Sequence, residues 1–428
     1  MSRRKWFVAH GWIGLTAGLM LFVICWSGSV AVFSSEIDWL LNPRMRVTAT
    51  LSEPPWTGIR QEAVKTFPHA RVLQISRPLY ERFPVEVILL RPGERMWRIY
   101  ADPASGRILD DTSYFNVQRF FRSFHMNLFF ISEDFDLGYW GFRLVESFGF
   151  ALLASMVTSL VFYRRWWQRF FKLERRRGRR IFWSDLHKLT GLWSLWFVPL
   201  IAVTGVWYLV EEFVPGSPGP PATPDASEST GRAPMLEDMV EAARGAIPDF
   251  HVSRVWLGEE DSGLVEVYGY DGALLVRDRA SKVWIDPRDA SVVRVQRTAD
   301  LTALQRWIDT ADPVHFGNFG GLWSKSVWFV FGLALSAMSL TGAYLHVQRQ
   351  RRKHAETGYR APVLVAYGLT TLILVVAAVG GWFEIRSYGL PVDGAARFPA
   401  VALPVTVFVG SWVASTLVAL FLWVWKLR

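Results

Sequence analysis

In 428 residues there is one cysteine, Cys25, and it lies inside an apolar run. That excludes a disulfide framework and any thiolate cluster of the kind that holds zinc or an iron–sulfur centre. No G-x-G-x-x-G stands in a strand–helix–strand setting, so the chain is not expected to bind a nicotinamide cofactor itself. No general-acid or nucleophile motif is evident. The N-terminus carries Arg3, Arg4 and Lys5 before an apolar run, as a signal peptide does, but the run continues from Phe7 to about Phe33 without a small-residue cleavage site. It reads as a retained membrane segment. The net charge of +9 is concentrated beside apolar runs. Basic residues are not interleaved along a polar face, which argues against nucleic acid as a partner and for cytoplasmic flanks under the positive-inside rule.

The chain is 51% hydrophobic and 15% aromatic, with 22 Trp. A helix needs about 20 mostly apolar residues to cross the bilayer, and six runs qualify: 7–33, 142–163, 186–210, 322–347, 362–383 and 400–426. The connections sort by charge. Segment 164–180 carries nine basic residues, from Arg164 to Arg180, against one acid, Glu174, and segment 348–360 carries Arg349, Arg351, Arg352, Lys353 and Arg360. With Arg3, Arg4, Lys5, Lys426 and Arg428, every basic cluster falls on one side, expected to be cytoplasmic together with both termini. The other side receives 34–141, 211–321 and a short loop, 384–399. The fold class expected is therefore a polytopic α-helical membrane protein with six transmembrane helices and two extracytoplasmic α+β domains, set in the lipid bilayer of a bacterial inner membrane.

Each long segment has the order of a small α+β domain. The first runs from a helical stretch, Ile59 to Phe67, through Pro68 to strand-like runs at 70–76, 85–90 and 96–100, closed by the turn Asp102-Pro103-Ala104-Ser105-Gly106. The second has a helical stretch from Met235 to Ala246, then Pro248 and strand-like runs at 251–257, 263–269, 273–277 and 282–285, closed at Asp286-Pro287. A Pro/Gly/Ser-rich linker, 215–231, precedes it.

These parallels are an internal repeat. His10 and Gly14 match His187 and Gly191; Ser27-Gly28 matches Thr204-Gly205; Asp102-Pro103 matches Asp286-Pro287; His125 matches His315; Gly149 and Thr158 match Gly332 and Thr341, all at offsets between 177 and 190. Two halves with the same orientation pack about a pseudo-two-fold axis along the membrane normal. The last two spans, 362–426, have no counterpart and read as an appended hairpin.

Of eight histidines, His69, His251 and His354 fall in extramembrane segments and are expected to be solvated. The other five stand at two depths: His10, His187 and His346 near the basic clusters, His125 and His315 near the opposite boundary. One such histidine alone reads equally well as a helix-end side chain reaching for headgroups. Symmetric pairs read differently, because two imidazoles facing across a bundle axis are what bis-histidine haem ligation requires. Zinc or copper would call for a third ligand, and the outer pair has none evident. His346, which aligns with Tyr163, makes the inner level a choice of two among three; symmetry favours His10 with His187. Gly11, Gly14, Gly18, Gly191 and Gly205 suit either a flat macrocycle or close helix packing.

His10-x-x-x-Gly14, the downstream Ser27-Gly28, a domain closing on Asp102-Pro103-x-x-Gly106, and the repetition of these features resemble the PepSY-associated transmembrane family over about residues 1–350. The resemblance implies that the extracytoplasmic segments are PepSY domains. It also implies an iron-uptake role, with two haem b groups in the bundle held at His10, His125, His187, His315 and His346, and ferrisiderophore reductase activity. The second half lacks the closing glycine of the turn, having Asp286-Pro287-Arg288-Asp289-Ala290. On this reading electrons from a quinol or a flavoprotein donor cross the membrane to a periplasmic ferric siderophore or other acceptor. The alternatives are a PepSY-based interaction or regulatory protein with structural histidines, and a siderophore or metal permease.

Overall fold

The structure is a computed structural model and describes residues 2–50, 53–91, 95–132, 135–171, 178–214, 221, 234–258, 263–353, 360–389, 391–392, 395–396, 398–399 and 401–427. His354, most of the expected 215–231 linker and part of the basic segment 164–180 lie outside them.

Each half opens with a bent helix pair. Helices α1 (Arg3–Thr16) and α2 (Gly18–Ala31) meet at 62°, and α7 (Arg179–Trp193) and α8 (Phe197–Glu211) at 68°. The runs 7–33 and 186–210 are therefore broken, not continuous. The breaks fall at Ala17-Gly18 and just after Trp193 at Ser194, small residues of the kind found at sharp kinks. Gly18 also admits the Ser339 carbonyl, which would stand 3.2 Å from a β-carbon placed there. Helices α6 (Trp140–Phe162), α11 (Gly321–Lys353), α12 (Arg360–Ser387) and α13 (Leu403–Leu427) are each long and apolar enough to cross a membrane. Four helices qualify alone, and up to six spans result if each bent pair is one. The chain is a polytopic membrane protein. The halves interlock: α1 packs on α6 and α7 on α11 within a half, while α2 packs on α11 and α8 on α6 across halves.

Outside the bundle, α3 (Ser34–Leu41) leads to α4 (Trp56–Thr66) and strands β1 (Arg71–Ser76), β2 (Val85–Arg91), β3 (Arg95–Ala101) and β4 (Ile108–Ser113); α5 (Val117–Asn127) then returns to α6. The second half repeats this with α9 (Leu236–Ala246), β5 (His251–Trp256), β6 (Val265–Tyr270), β7 (Ser281–Ile285), β8 (Val292–Gln296) and α10 (Ala303–Phe316). The strand-like run 273–277 is not a strand, because Gly272 and Leu275 take φ of +82° and +55°, which an extended chain does not accommodate. β4 and β8 are additional to the runs read from the sequence.

The two sets of strands form one antiparallel sheet of eight, ordered β8-β7-β6-β5-β1-β2-β3-β4. β1 and β5 pair at the centre, Ile75 opposite Val255. The order is the same from either edge, as a two-fold axis between β1 and β5 would produce. Alternation puts Ile75, Val87, Ile99, Val255, Val267 and Val283, all fully buried, on one face against Trp56 and Ile59 of α4 and Met239 and Val240 of α9. Each such side chain contributes about 1.5–3 kcal/mol by leaving water. The opposite face is polar and aromatic, and it touches α5: Arg98 pairs with Glu86 at 3.1 Å and donates to Gln118 at 3.2 Å.

Candidate functional site

His125 sits near the end of α5 and His315 near the end of α10. Both helices start at a side-chain cap. Asn116 Oδ1 accepts from the Arg119 amide at 2.8 Å, and Thr302 Oγ1 from the Gln305 amide at 3.3 Å. The Asp38 carboxylate also accepts the amides of Val117 and Gln118, each at 2.9 Å. Burial pushes the Asp38 carboxyl up to about 7, against the lowering effect of those two amides. Both helices close on a left-handed residue soon after the histidine, Leu128 with φ 56° and Gly317 with φ 66°.

The structure brings the two rings together, with centroids 6.3 Å apart and planes at 41°. His125 Nδ1 lies 3.1 Å from Ser27 Oγ, and His315 Nδ1 lies 2.8 Å from Thr204 Oγ1. Each hydroxyl donates its own hydrogen to a carbonyl about one turn back, Ser27 to Ile24 and Thr204 to Leu200. Its oxygen therefore acts as acceptor, Nδ1–H donates, and Nε2 is the unprotonated nitrogen. Gly28 gives the His125 ring its place, since a β-carbon there would lie 2.6 Å from Cε1.

The same device recurs at the other level. His10 Nδ1 lies 3.0 Å from the Ser155 carbonyl, which can only accept, and 3.2 Å from Thr158 Oγ1. His187 Nδ1 lies 3.0 Å from Thr341 Oγ1, whose hydrogen goes to Ala337. These two rings make no ring contact with each other among the described residues, although they interact electrostatically. His346 is held differently. Its Nε2 is 3.4 Å from the Gln350 amide nitrogen, its ring tilts against Trp12 at 5.5 Å, and Nδ1 would be 2.1 Å from a β-carbon at Gly11. His69 and His251 are exposed.

Among the described residues no group of three or more His, Cys, Asp or Glu side chains is placed to hold a metal. The outer donor set is two imidazoles with bare Nε2. A metal–imidazole bond of about 2 Å from each ring would be compatible with the 6.3 Å between their centroids. The residues present thus fit an iron whose remaining ligands come from a macrocycle. Sequence reasoning matched Ser27 with Thr204 and Thr158 with Thr341 but gave the hydroxyls no role; their position in the repeat was the available signal. It missed Asp38 altogether.

A family model for the PepSY-associated transmembrane region matches residues 7–349. The chain belongs to the PepSY-associated transmembrane family. The matched region takes in both bent pairs but for the first turn of α1, the sheet, α6, most of α11 and all five histidines at the two levels; α12 and α13 lie beyond it. An uncharacterized protein of Pseudomonas aeruginosa is 25% identical over 241 residues, which are 50% of this chain and 61% of that relative. The chain thus spans about three-fifths of that relative's length.

Proposed function

We propose that this PepSY-associated transmembrane protein is a haem-dependent reductase of the bacterial inner membrane, passing electrons outward to a ferric chelate such as a ferric siderophore. The observation that carries the reading is the His125–His315 pair, with ring centres 6.3 Å apart and each Nδ1 tied to a hydroxyl. In this reading each bent pair crosses the bilayer once, giving six spans with both termini cytoplasmic, and the sheet lies in the periplasm. His125 and His315 hold one haem b; His10 and His187, which share the Nδ1 device, hold a second nearer the cytoplasm. His346 lacks that device and serves as a neighbour of the inner site. When bound, the group supplies one-electron transfer. The chain's own part is to keep four imidazoles in the ligating tautomer and to orient their rings. A quinol or flavoprotein outside the chain is the donor. Reduction of Fe(III) to Fe(II) lowers the metal's charge and weakens its hold on hard oxygen ligands.

The test is the absorption spectrum of the purified protein with its haem-to-protein ratio, followed by His125→Ala and His315→Ala. Each variant is expected to lose one haem's signal and to abolish acceptor reduction. A preparation with no Soret band overturns the proposal in favour of an interaction protein or permease. Reduction that survives both changes overturns the placement of the outer site.

A further inference from the structure

We propose that the hairpin of α12 and α13 is a clamp that holds His125 in place, with Glu384 as its positioning residue. Glu384, on α12, is 2% exposed. Its Oε1 accepts from Arg119 Nε at 2.9 Å, from Ser123 Oγ at 2.6 Å and from the Tyr388 hydroxyl at 3.4 Å. Arg119 and Ser123 both belong to α5, and Ser123 precedes His125 by two residues.

Trp412 of α13 meets the same helix edge-on at Phe120, Phe121 and Phe124, with centroids at 5.9, 5.0 and 5.4 Å. It also stacks on Trp26 at 6.4 Å, and Trp26 Nε1 donates to Thr416 Oγ1 at 3.0 Å. Trp26 adjoins Ser27, the hydroxyl that receives His125 Nδ1. The hairpin therefore grips both the helix that carries His125 and the helix that orients it.

The repeat explains why only one half needs this. At the offset that matches His125 with His315, Arg119 corresponds to Asp309 and Arg122 to Asp312. In the second half Asp309 Oδ1 accepts from Arg277 Nε at 3.1 Å and Arg279 Nε at 2.7 Å, and Asp312 accepts from the Tyr208 hydroxyl at 2.7 Å. Those arginines come from the segment between β6 and β7, so α10 is anchored by its own half. In the first half the charge at the matching position is reversed, and the partner of opposite sign comes from the appended hairpin. A buried charge that loses its partner is strongly destabilising, so α5 depends on Glu384.

The ligand role of His125 rests on the function proposed above; the clamp can be read without it. Hydrogen exchange on the full chain in nanodiscs would compare α5 with α10. Glu384→Ala is expected to speed exchange over α5 by about ten-fold or more while α10 stays as in the parent. Glu384→Gln, which keeps an acceptor oxygen, should restore most of the protection. Asp309→Ala should reverse the pattern. In haem-loaded protein, Glu384→Ala should also alter the outer haem's redox midpoint and leave the inner one unchanged. Unchanged α5 exchange, or equal loosening of both helices, overturns the proposal. Should Glu384→Ala fail to fold, Ser123→Ala removes one bond without unpairing a charge and should give a smaller loosening confined to α5; no such loosening overturns the proposal equally. A protein without haem that still shows this exchange pattern sinks the reductase reading and keeps the clamp.

Discussion

Ser27 and Thr204 each use one oxygen atom twice, donating to their own helix and accepting from a histidine of another. The second bond decides which imidazole nitrogen is bare, and a serine or threonine donating to its own i−3 or i−4 carbonyl has no other hydrogen to offer. Thr204→Val keeps the shape and removes the acceptor, leaving the His315 Nδ1–H unpaired. On the function proposed above, haem at the outer site should be held about 10–100-fold more weakly, the usual cost of losing such a supporting partner. Thr204→Ser should stay near the parent. Haem transfer to a competing apoprotein measures both, and equal retention in the valine and serine variants would sink the assignment. The positions of these hydroxyls were legible in the sequence because the repeat pairs them. Their role was not, since hydrogen-bond direction depends on which ring lies 3 Å away. His346 shows the converse: its residue type and depth read like those of His10, but its ring is placed by Gln350, Trp12 and the space at Gly11.

At the scale of elements, the sequence showed where the apolar runs lie but not that two of them bend. A run that is apolar on every side has no periodicity to interrupt, so small residues at Ala17-Gly18 and Ser194 look like ordinary helix-packing positions. The start of α5 was likewise hidden, because the carboxylate that caps its first amides, Asp38, comes from α3, 79 residues earlier. That carboxyl titrates at about 7 in the folded chain, from an ordinary value of 3.8, chiefly because it is buried. The folded state thus binds more protons than the unfolded one between those values, and stability falls as pH rises through that window. Asp38→Asn should flatten this stretch of the pH profile of thermal stability. It should cost little at low pH, where Asp38 is already neutral and, like Asn, offers one carbonyl oxygen to the helix start. A variant whose midpoint still falls with the parent's slope between pH 4 and 7 would place that titration elsewhere.

For the whole molecule, the sequence displayed the strands of each half through their alternation, and with them the two-fold relation. Nothing local displays the seam. Pairing between β1 and β5 joins residues about 180 apart, and two edge strands that meet look the same in sequence as two that face water. The register makes the join continuous: Ile75 stands opposite Val255, the Leu257 amide donates to Leu73 and the Arg77 amide to Ser253, both at 2.8 Å. One sheet with one apolar face under α4 and α9 cannot lose half its core without exposing the other half. Ile75→Ala removes a fully buried side chain beside the axis and should cost about 2–5 kcal/mol, set by how far the surrounding core relaxes. If the seam holds, the extramembrane region should melt in a single transition that Ile75→Ala and Val255→Ala both lower. Two transitions, with each variant shifting only the one from its own half, would mean that the halves fold as separate domains that merely touch.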